Sequence, residues 1–186
     1  MVILKNLNQE IVKVIRQGGI GVIPTDTIYG LVGSALNKKT VERIYKLRKR
    51  NLKKPMIILI GDIKQLKKFG ISLYPSGYTL NPRAWPPKTS LIFPCESAKF
   101  HYLHRGTKTL AFRLPKPKKL RSFLKKTGPL VAPSANFEGE PPSKTIKEAQ
   151  KYFGNRVDFY VNAGKKISKP SRLLKIVDDK IIELRK

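Results

Sequence analysis

The chain has 186 residues, 40% of them apolar and 27% charged, proportions that fit a globular protein with its own core and exclude a fibrous or disordered chain. Its 39 Lys and Arg against 12 Asp and Glu give a formal charge of +27, which favours anionic partners: nucleic acid, nucleotide phosphates or an anionic surface. A single cysteine, Cys95, excludes an internal disulfide, and two histidines, His101 and His104, fall short of a zinc set. The basic residues run through the whole chain, in Lys38-Lys39, Lys46 to Lys54, Lys64 to Lys68, Lys116 to Lys126 and Lys165 to Lys169, so the charge belongs to the folded body and not to a tail. The expectation is one domain over 1–186, cytoplasmic, with no membrane or secretory segment.

In chain order, Asn8 to Gln17 places Ile11, Val12, Val14 and Ile15 at helical spacing behind an Asn cap, and Gly18-Gly19 ends it. Ile20 to Ile23 reads as a strand. It runs into Pro24-Thr25-Asp26-Thr27-Ile28-Tyr29-Gly30-Leu31, a segment with three hydroxyls and a carboxylate, expected as a polar loop at the carboxyl edge of a sheet, where open α/β sheets bind ligands. Such side chains also bond their own backbone in ordinary turns. Val41, Ile44 and Tyr45 share a helical face over 39–48, followed by the basic loop Arg48 to Lys54. Met56 to Ile60 reads as a strand and Ile63 to Phe69 as a short helix. Gly70 to Pro87, with four prolines, two glycines and Trp85, is a candidate lid.

The second half offers strands at Ser90 to Phe93, Leu110 to Leu114 and Leu130 to Ala132, with a lysine-rich helix over Lys118 to Lys126. After Pro133-Ser134-Ala135-Asn136 and a Gly-Glu-Pro-Pro turn, Thr145 caps a helix to Phe153, and Phe159 to Val161 is apolar. Arg172 to Val177 and Ile181 to Leu184 flank Asp178-Asp179-Lys180 as a terminal hairpin. Alternating helices and strands with a hairpin indicate an α/β fold on a mixed sheet.

Three separated features carry the chemistry: the hydroxyl segment 24–31, the basic loop 48–54 and Ser134-Ala135-Asn136. Arginines in such a loop can hold phosphates in bidentate fashion, or be merely solvated. Ser and Asn can bind a nucleotide, or cap a helix. The sequence has no Walker loop, no Gly-x-Gly-x-x-Gly and no Ser-His-Asp or Cys-His set, so a bound nucleotide would need another arrangement.

The order of these segments resembles the YrdC-like threonylcarbamoyl-AMP synthase family over nearly the whole chain. The resemblance rests on Pro24 to Leu31, on Ile44 to Met56 in place of the family's Lys-x-Arg-Pro loop, on Thr109-Leu110-Ala111-Phe112-Arg113-Leu114-Pro115, and on Ala132 to Asn136 with Gly139-Glu140-Pro141-Pro142, through to Pro170-Ser171. It implies an α/β fold with a twisted mixed sheet and flanking helices around a large positively charged cavity. It implies a nucleotidyltransferase that condenses L-threonine, bicarbonate and ATP, with Mg²⁺, into threonylcarbamoyl-AMP and pyrophosphate. The product would serve a downstream tRNA threonylcarbamoyl transferase complex in forming N6-threonylcarbamoyladenosine.

By matching position, the resemblance implies that Thr27 contacts threonine, with Thr25, Tyr29 and Ala132 on the same wall. Arg50, Lys54 and Arg48 would be the catalytic cations, the first two on the triphosphate. Arg113 would meet the substrate carboxylate or carbamate, and Thr109, Ser134, Asn136, Ser143 and Arg185 the nucleotide, with Ser171 beside the substrate. The chain departs from the family pattern at Arg48 (Lys), Asn51 (Pro), Pro87-Lys88 in the Trp-Pro-Gly-Pro segment, Glu138 (Ser) and Arg172 (Thr). The last two would add an acid and a base near the nucleotide. Two other readings compete: a non-catalytic double-stranded RNA-binding or ribosome-associated protein of the same fold, with tRNA or double-stranded RNA as partner and binding that would weaken steeply with salt, and carbamoyl transfer as in the related domain of hydrogenase-maturation proteins.

Overall fold

The chain is described by a computed structural model covering residues 2–72, 85, 87–177 and 180–185. Among the described residues ten strands form one mixed sheet: β1 (Val2–Leu4), β2 (Gly21–Pro24), β3 (Tyr29–Ser34), β4 (Ile58–Leu59), β5 (Thr89–Pro94), β6 (Thr109–Arg113), β7 (Leu130–Val131), β8 (Phe159–Val161), β9 (Arg172–Val177) and β10 (Lys180–Arg185), in the order β1-β8-β2-β3-β7-β4-β6-β5-β9-β10. Parallel pairs, such as β4 with β6 and β5 with β9, alternate with antiparallel ones, such as β2 with β3 and β5 with β6.

Helices cover both faces, each placed by its own apolar stripe. On one face α1 (Gln9–Arg16) and α4 (Lys118–Thr127) bury Ile11, Val12, Ile15, Leu120, Phe123 and Leu124 against Ile23, Val32 and Leu130. The expected Asn cap is present, Asn8 Oδ1 accepting from the Ile11 N–H at 3.1 Å. On the other face α2 (Lys38–Leu47), the short α3 (His101–His104) and α5 (Ile146–Phe153) pack with a 3-10 helix over Ile63–Phe69 on Val22, Leu31, Ile58, Leu91 and Phe112. Thr145 caps α5 by accepting from the Glu148 N–H.

Several expectations need correction. The hydroxyl segment is a polar loop only at its tip, which follows the carboxyl end of β2: the chain turns straight back into antiparallel β3, pairing Pro24 with Tyr29, so Tyr29 to Leu31 are strand. Thr25 closes that tip, its N–H donating to the Ile28 carbonyl at 3.2 Å and its hydroxyl to the same oxygen at 2.7 Å. Met56 to Ile60 pairs as ladder only over Ile58–Leu59, and β7 stops at Val131. The helix over 63–69 is 3-10 in form, opened by Asp62 and closed by Gly70 at φ 74°. β1 and α3 had no expectation attached to them. The candidate lid at 70–87 lies largely outside the described residues; within it Trp85 is buried, donating to the Thr89 carbonyl at 3.1 Å.

One close approach sets how α4 sits on the sheet. A Cβ on Gly61 would lie 2.5 Å from the Arg121 carbonyl oxygen and 2.6 Å from the Lys125 nitrogen, both backbone atoms of α4. Gly61→Ala is therefore expected to push the helix outward at a cost of about 1–3 kcal/mol. Thermal unfolding should register it as a Tm lower by roughly 2–4 °C per kcal/mol.

Candidate active site

The strand alternation that buries Leu110 and Phe112 in the core turns Thr107, Thr109, Ala111 and Arg113 to the opposite face. These four form one wall of a cavity of about 370 Å³. Leu59, packed with α4 in the core of that face, also lines it, so the cavity borders the α1–α4 layer. The β2–β3 hairpin supplies Thr25, Thr27 and Tyr29; the turn after β7 supplies Ala132 and Ser134; β9 and its approach supply Ser171 and Leu173. Four arginines from four parts of the chain converge there: Arg48, Arg50, Arg113 and Arg185.

Each guanidinium is held by a specific set of acceptors. Arg113, 5% exposed, donates from Nη1 to the Thr27 hydroxyl at 3.0 Å and from Nη2 to Asp26, a buried ion pair with side-chain exposures of 6% and 5%. The Thr27 hydroxyl is in turn 3.2 Å from that of Thr25. Arg48, 2% exposed at the end of α2, donates to the Asn136 carbonyl at 3.0 Å and to Asn136 Oδ1 and Ser134 Oγ at 3.2 Å. Arg50 caps its own loop, donating to the carbonyls of Lys54 at 3.0 Å and Pro55 at 2.9 Å. Arg185 donates to the Ser171 carbonyl at 2.9 Å and hydroxyl at 3.2 Å, and that hydroxyl is 2.9 Å from Ser90.

The cations sense one another. Burial, reinforced by the neighbouring Arg50, lowers Arg48 to about 10, so it stays protonated at neutral pH. Arg185 is lowered by burial first and then by Arg113 and Arg50. Gathering like charges in partly dry surroundings costs free energy that an anionic ligand would recover. Arg48 Nη1 and Arg113 Nε are buried with no protein partner, so the walls hold unsatisfied donors beside the cavity, and the Asp26 Oδ2 acceptor behind Arg113 is unpartnered too.

Most of the residues singled out in the sequence meet here: Thr25, Thr27, Tyr29, Arg48, Arg50, Thr109, Arg113, Ala132, Ser134, Ser171 and Arg185. Three do not line the cavity, and each has a local reason. Lys54 points outward, its ammonium 3.0 Å from Glu138 and its side chain 61% exposed. Asn136 spends its amide on the Phe137 and Glu140 carbonyls and its Oδ1 on Arg48, so it shapes the turn. Ser143 is buried and donates to the Ala135 carbonyl. The Tyr29 hydroxyl, on the cavity wall, is already committed, donating to the Gly164 carbonyl at 2.8 Å and accepting from the Ala163 N–H at 2.9 Å.

Two departures from the family pattern have charged partners on the protein itself. The Arg172 guanidinium pairs with Glu183 across the β9–β10 hairpin at 2.8 Å. Glu138 bonds the Asn51 N–H and Lys54. Asp26 as the partner of Arg113 and Thr107 as a lining residue were not assigned roles. Thr107 was legible, since alternation counted back from Arg113 reaches it; the Asp26 pairing spans 87 residues and has no local signal.

Residues 13–186 match the Sua5/YciO/YrdC family model, described as "Telomere recombination". Threonylcarbamoyl-AMP synthase of Coxiella burnetii is 30% identical over 148 residues, covering 79% of this chain and 80% of that protein. The Bacillus subtilis threonylcarbamoyl-AMP synthase is 31% identical over 174 residues, 92% of this chain but 50% of that longer protein. Among solved structures, P. abyssi Sua5 superposes with a TM-score of 0.87 at 26% identity, over 100% of this chain and 60% of that one.

Proposed function

The chain belongs to the Sua5/YciO/YrdC family, and from that premise we propose that it is an L-threonylcarbamoyladenylate synthase, a nucleotidyltransferase that joins L-threonine, bicarbonate and ATP and releases pyrophosphate. The observation that carries this reading is the convergence of Arg48, Arg50, Arg113 and Arg185 on one hydroxyl-lined cavity.

The reaction asks for little covalent help. The threonine amine captures CO₂ from bicarbonate as a carbamate, a carbamate oxygen attacks the α-phosphorus of ATP, and pyrophosphate leaves. The difficulty is to hold two anions together and to balance charge as it moves onto the leaving group, which fixed cations and proximity supply. Thr27 and Arg113, already bonded to one another, form the threonine end. Asp26 orients the Arg113 fork, whose planar donors suit a carboxylate or carbamate. Arg50 and Arg185 would take the phosphates, and Arg48 would brace Ser134 and the 134–136 turn beside the nucleotide. Tyr29 serves as a wall and not as a hydrogen-bonding partner, its hydroxyl being spent on the 163–164 backbone.

Among the described residues no group of three or more His, Cys, Asp or Glu could hold a metal, and Asp26 is tied to Arg113. The described residues therefore offer no dedicated Mg²⁺ site, and the ion would enter as part of the substrate, on the ATP phosphates. No helix among the described residues is long and apolar enough to cross a membrane. A cytoplasmic site of action and hand-over of the adenylate to a tRNA threonylcarbamoyl transferase complex complete the reading.

The test is pyrophosphate release from ATP with threonine and bicarbonate each omitted in turn. Release that needs both supports the synthase. Release indifferent to threonine would replace it with simple nucleotide hydrolysis.

A further inference from the structure

The basic loop 48–54 ends in a lysine that does not face the cavity its neighbours line. Arg48, Arg50 and Pro55 all contribute to the wall, whereas Lys54 Nζ lies outside on Glu138 Oε1 at 3.0 Å. Glu138 holds the same loop a second time, its Oε2 accepting the Asn51 N–H, and a third time through its own N–H, which donates to the Arg48 carbonyl at 2.9 Å. The carboxyl side chain is 24% exposed and sits in the turn that follows Asn136, so it stands at the rim and not in the cavity. Asn51 takes part because it has a backbone N–H to give.

We propose that Glu138 is a positioning residue that sets the charge of the phosphate-binding wall: it holds the basic loop in place while keeping the Lys54 ammonium off the bound polyphosphate. This rests on the reading of the cavity as a nucleotide site. Lys54 is within reach of the wall, since its own carbonyl accepts from Arg50 and the next residue, Pro55, lines the cavity. Its four-carbon stem can swing the ammonium inward once its partner is gone. The bonds from the Asn51 N–H and Lys54 hold the Glu138 carboxyl below its ordinary range, so the hold persists at neutral pH. The consequence is a moderated affinity: a site already holding four arginines gains no fifth cation, which would slow departure of a highly charged product such as pyrophosphate.

The probe is inorganic tripolyphosphate, whose binding by calorimetry does not depend on whether the protein makes an adenylate. Glu138→Gln, which removes the charge and keeps the shape, is expected to bind it about two- to fivefold tighter at low salt, the range of one partly exposed ion pair. Lys54→Met should leave the parent affinity within experimental error, because Lys54 is already occupied, yet cancel the gain when combined with Glu138→Gln. Glu138→Ala should show the same gain with a lower Tm, having also dropped the Asn51 bond. No gain in Glu138→Gln, or an equal loss from Lys54→Met in both backgrounds, would overturn the proposal. A parent protein that binds tripolyphosphate but makes no adenylate would fail the synthase reading and leave this one standing.

Discussion

Arg113→Met is expected to lose roughly 3–5 kcal/mol of stability and at least about a hundredfold in kcat/KM for threonylcarbamoyl-AMP formation. The stability loss follows from burial: with the guanidinium gone, the Asp26 carboxylate, 5% exposed, is left with no partner for Oδ1 or Oδ2. The activity loss follows from position, since Arg113 is the charged end of the Thr25–Thr27–Arg113 chain of hydroxyls and donors. The two effects separate in the double variant. Asp26→Asn with Arg113→Met removes the stranded charge and should recover most of the stability in denaturant unfolding while kcat/KM stays low. A double variant as unstable as the single would mean that Arg113 stabilises by packing, not by neutralising Asp26.

Arg48→Met is expected to cost about 2–3 kcal/mol and to raise KM for ATP more than it lowers kcat. Three acceptors, the Asn136 carbonyl, Asn136 Oδ1 and Ser134 Oγ, lose a charged donor, and bonds of that kind are worth about 1.5–3 kcal/mol each before the remaining groups relax. The 134–136 turn, which bridges to Gly30 on β3, would loosen, and with it the wall assigned to the nucleotide. Arg48→Lys should restore the charge but only part of the stability, because an ammonium is a point donor and cannot span acceptors placed for a planar fork. Equal stability for the Lys and Arg forms would show that charge alone, and not the fork, matters here.

Local physics made much of this molecule legible in advance. Asn8 and Thr145 announce helices by the backbone N–H groups they cap, and the period-two pattern of Leu110, Phe112 and Leu114 assigns Arg113 to the face away from the core. Of the residues assigned by family resemblance, most line the cavity, whereas Lys54, Asn136 and Ser143 are turned elsewhere by partners the sequence does not reveal: Glu138, 84 residues from Lys54, and nearby backbone carbonyls. The return of the chain as β3 from Tyr29 is hidden for a related reason, since a hydroxyl-rich segment gives no local sign of which strand it pairs with. Arg185 has the opposite history. On sequence alone it could be a frayed terminal charge, and only the arrival of β10 beside β9 brings it onto Ser171.

The most direct test of the central claim supplies the protein with ATP, Mg²⁺, L-threonine and ¹³C-bicarbonate and weighs the nucleotide product. The product expected is a threonylcarbamoyl-AMP that carries the label, appears only when threonine is present, and is lost in Arg50→Ala, whose side chain bonds the Lys54 and Pro55 carbonyls of its own loop. A folded protein that yields unlabelled AMP, or no new nucleotide at all, would contradict it.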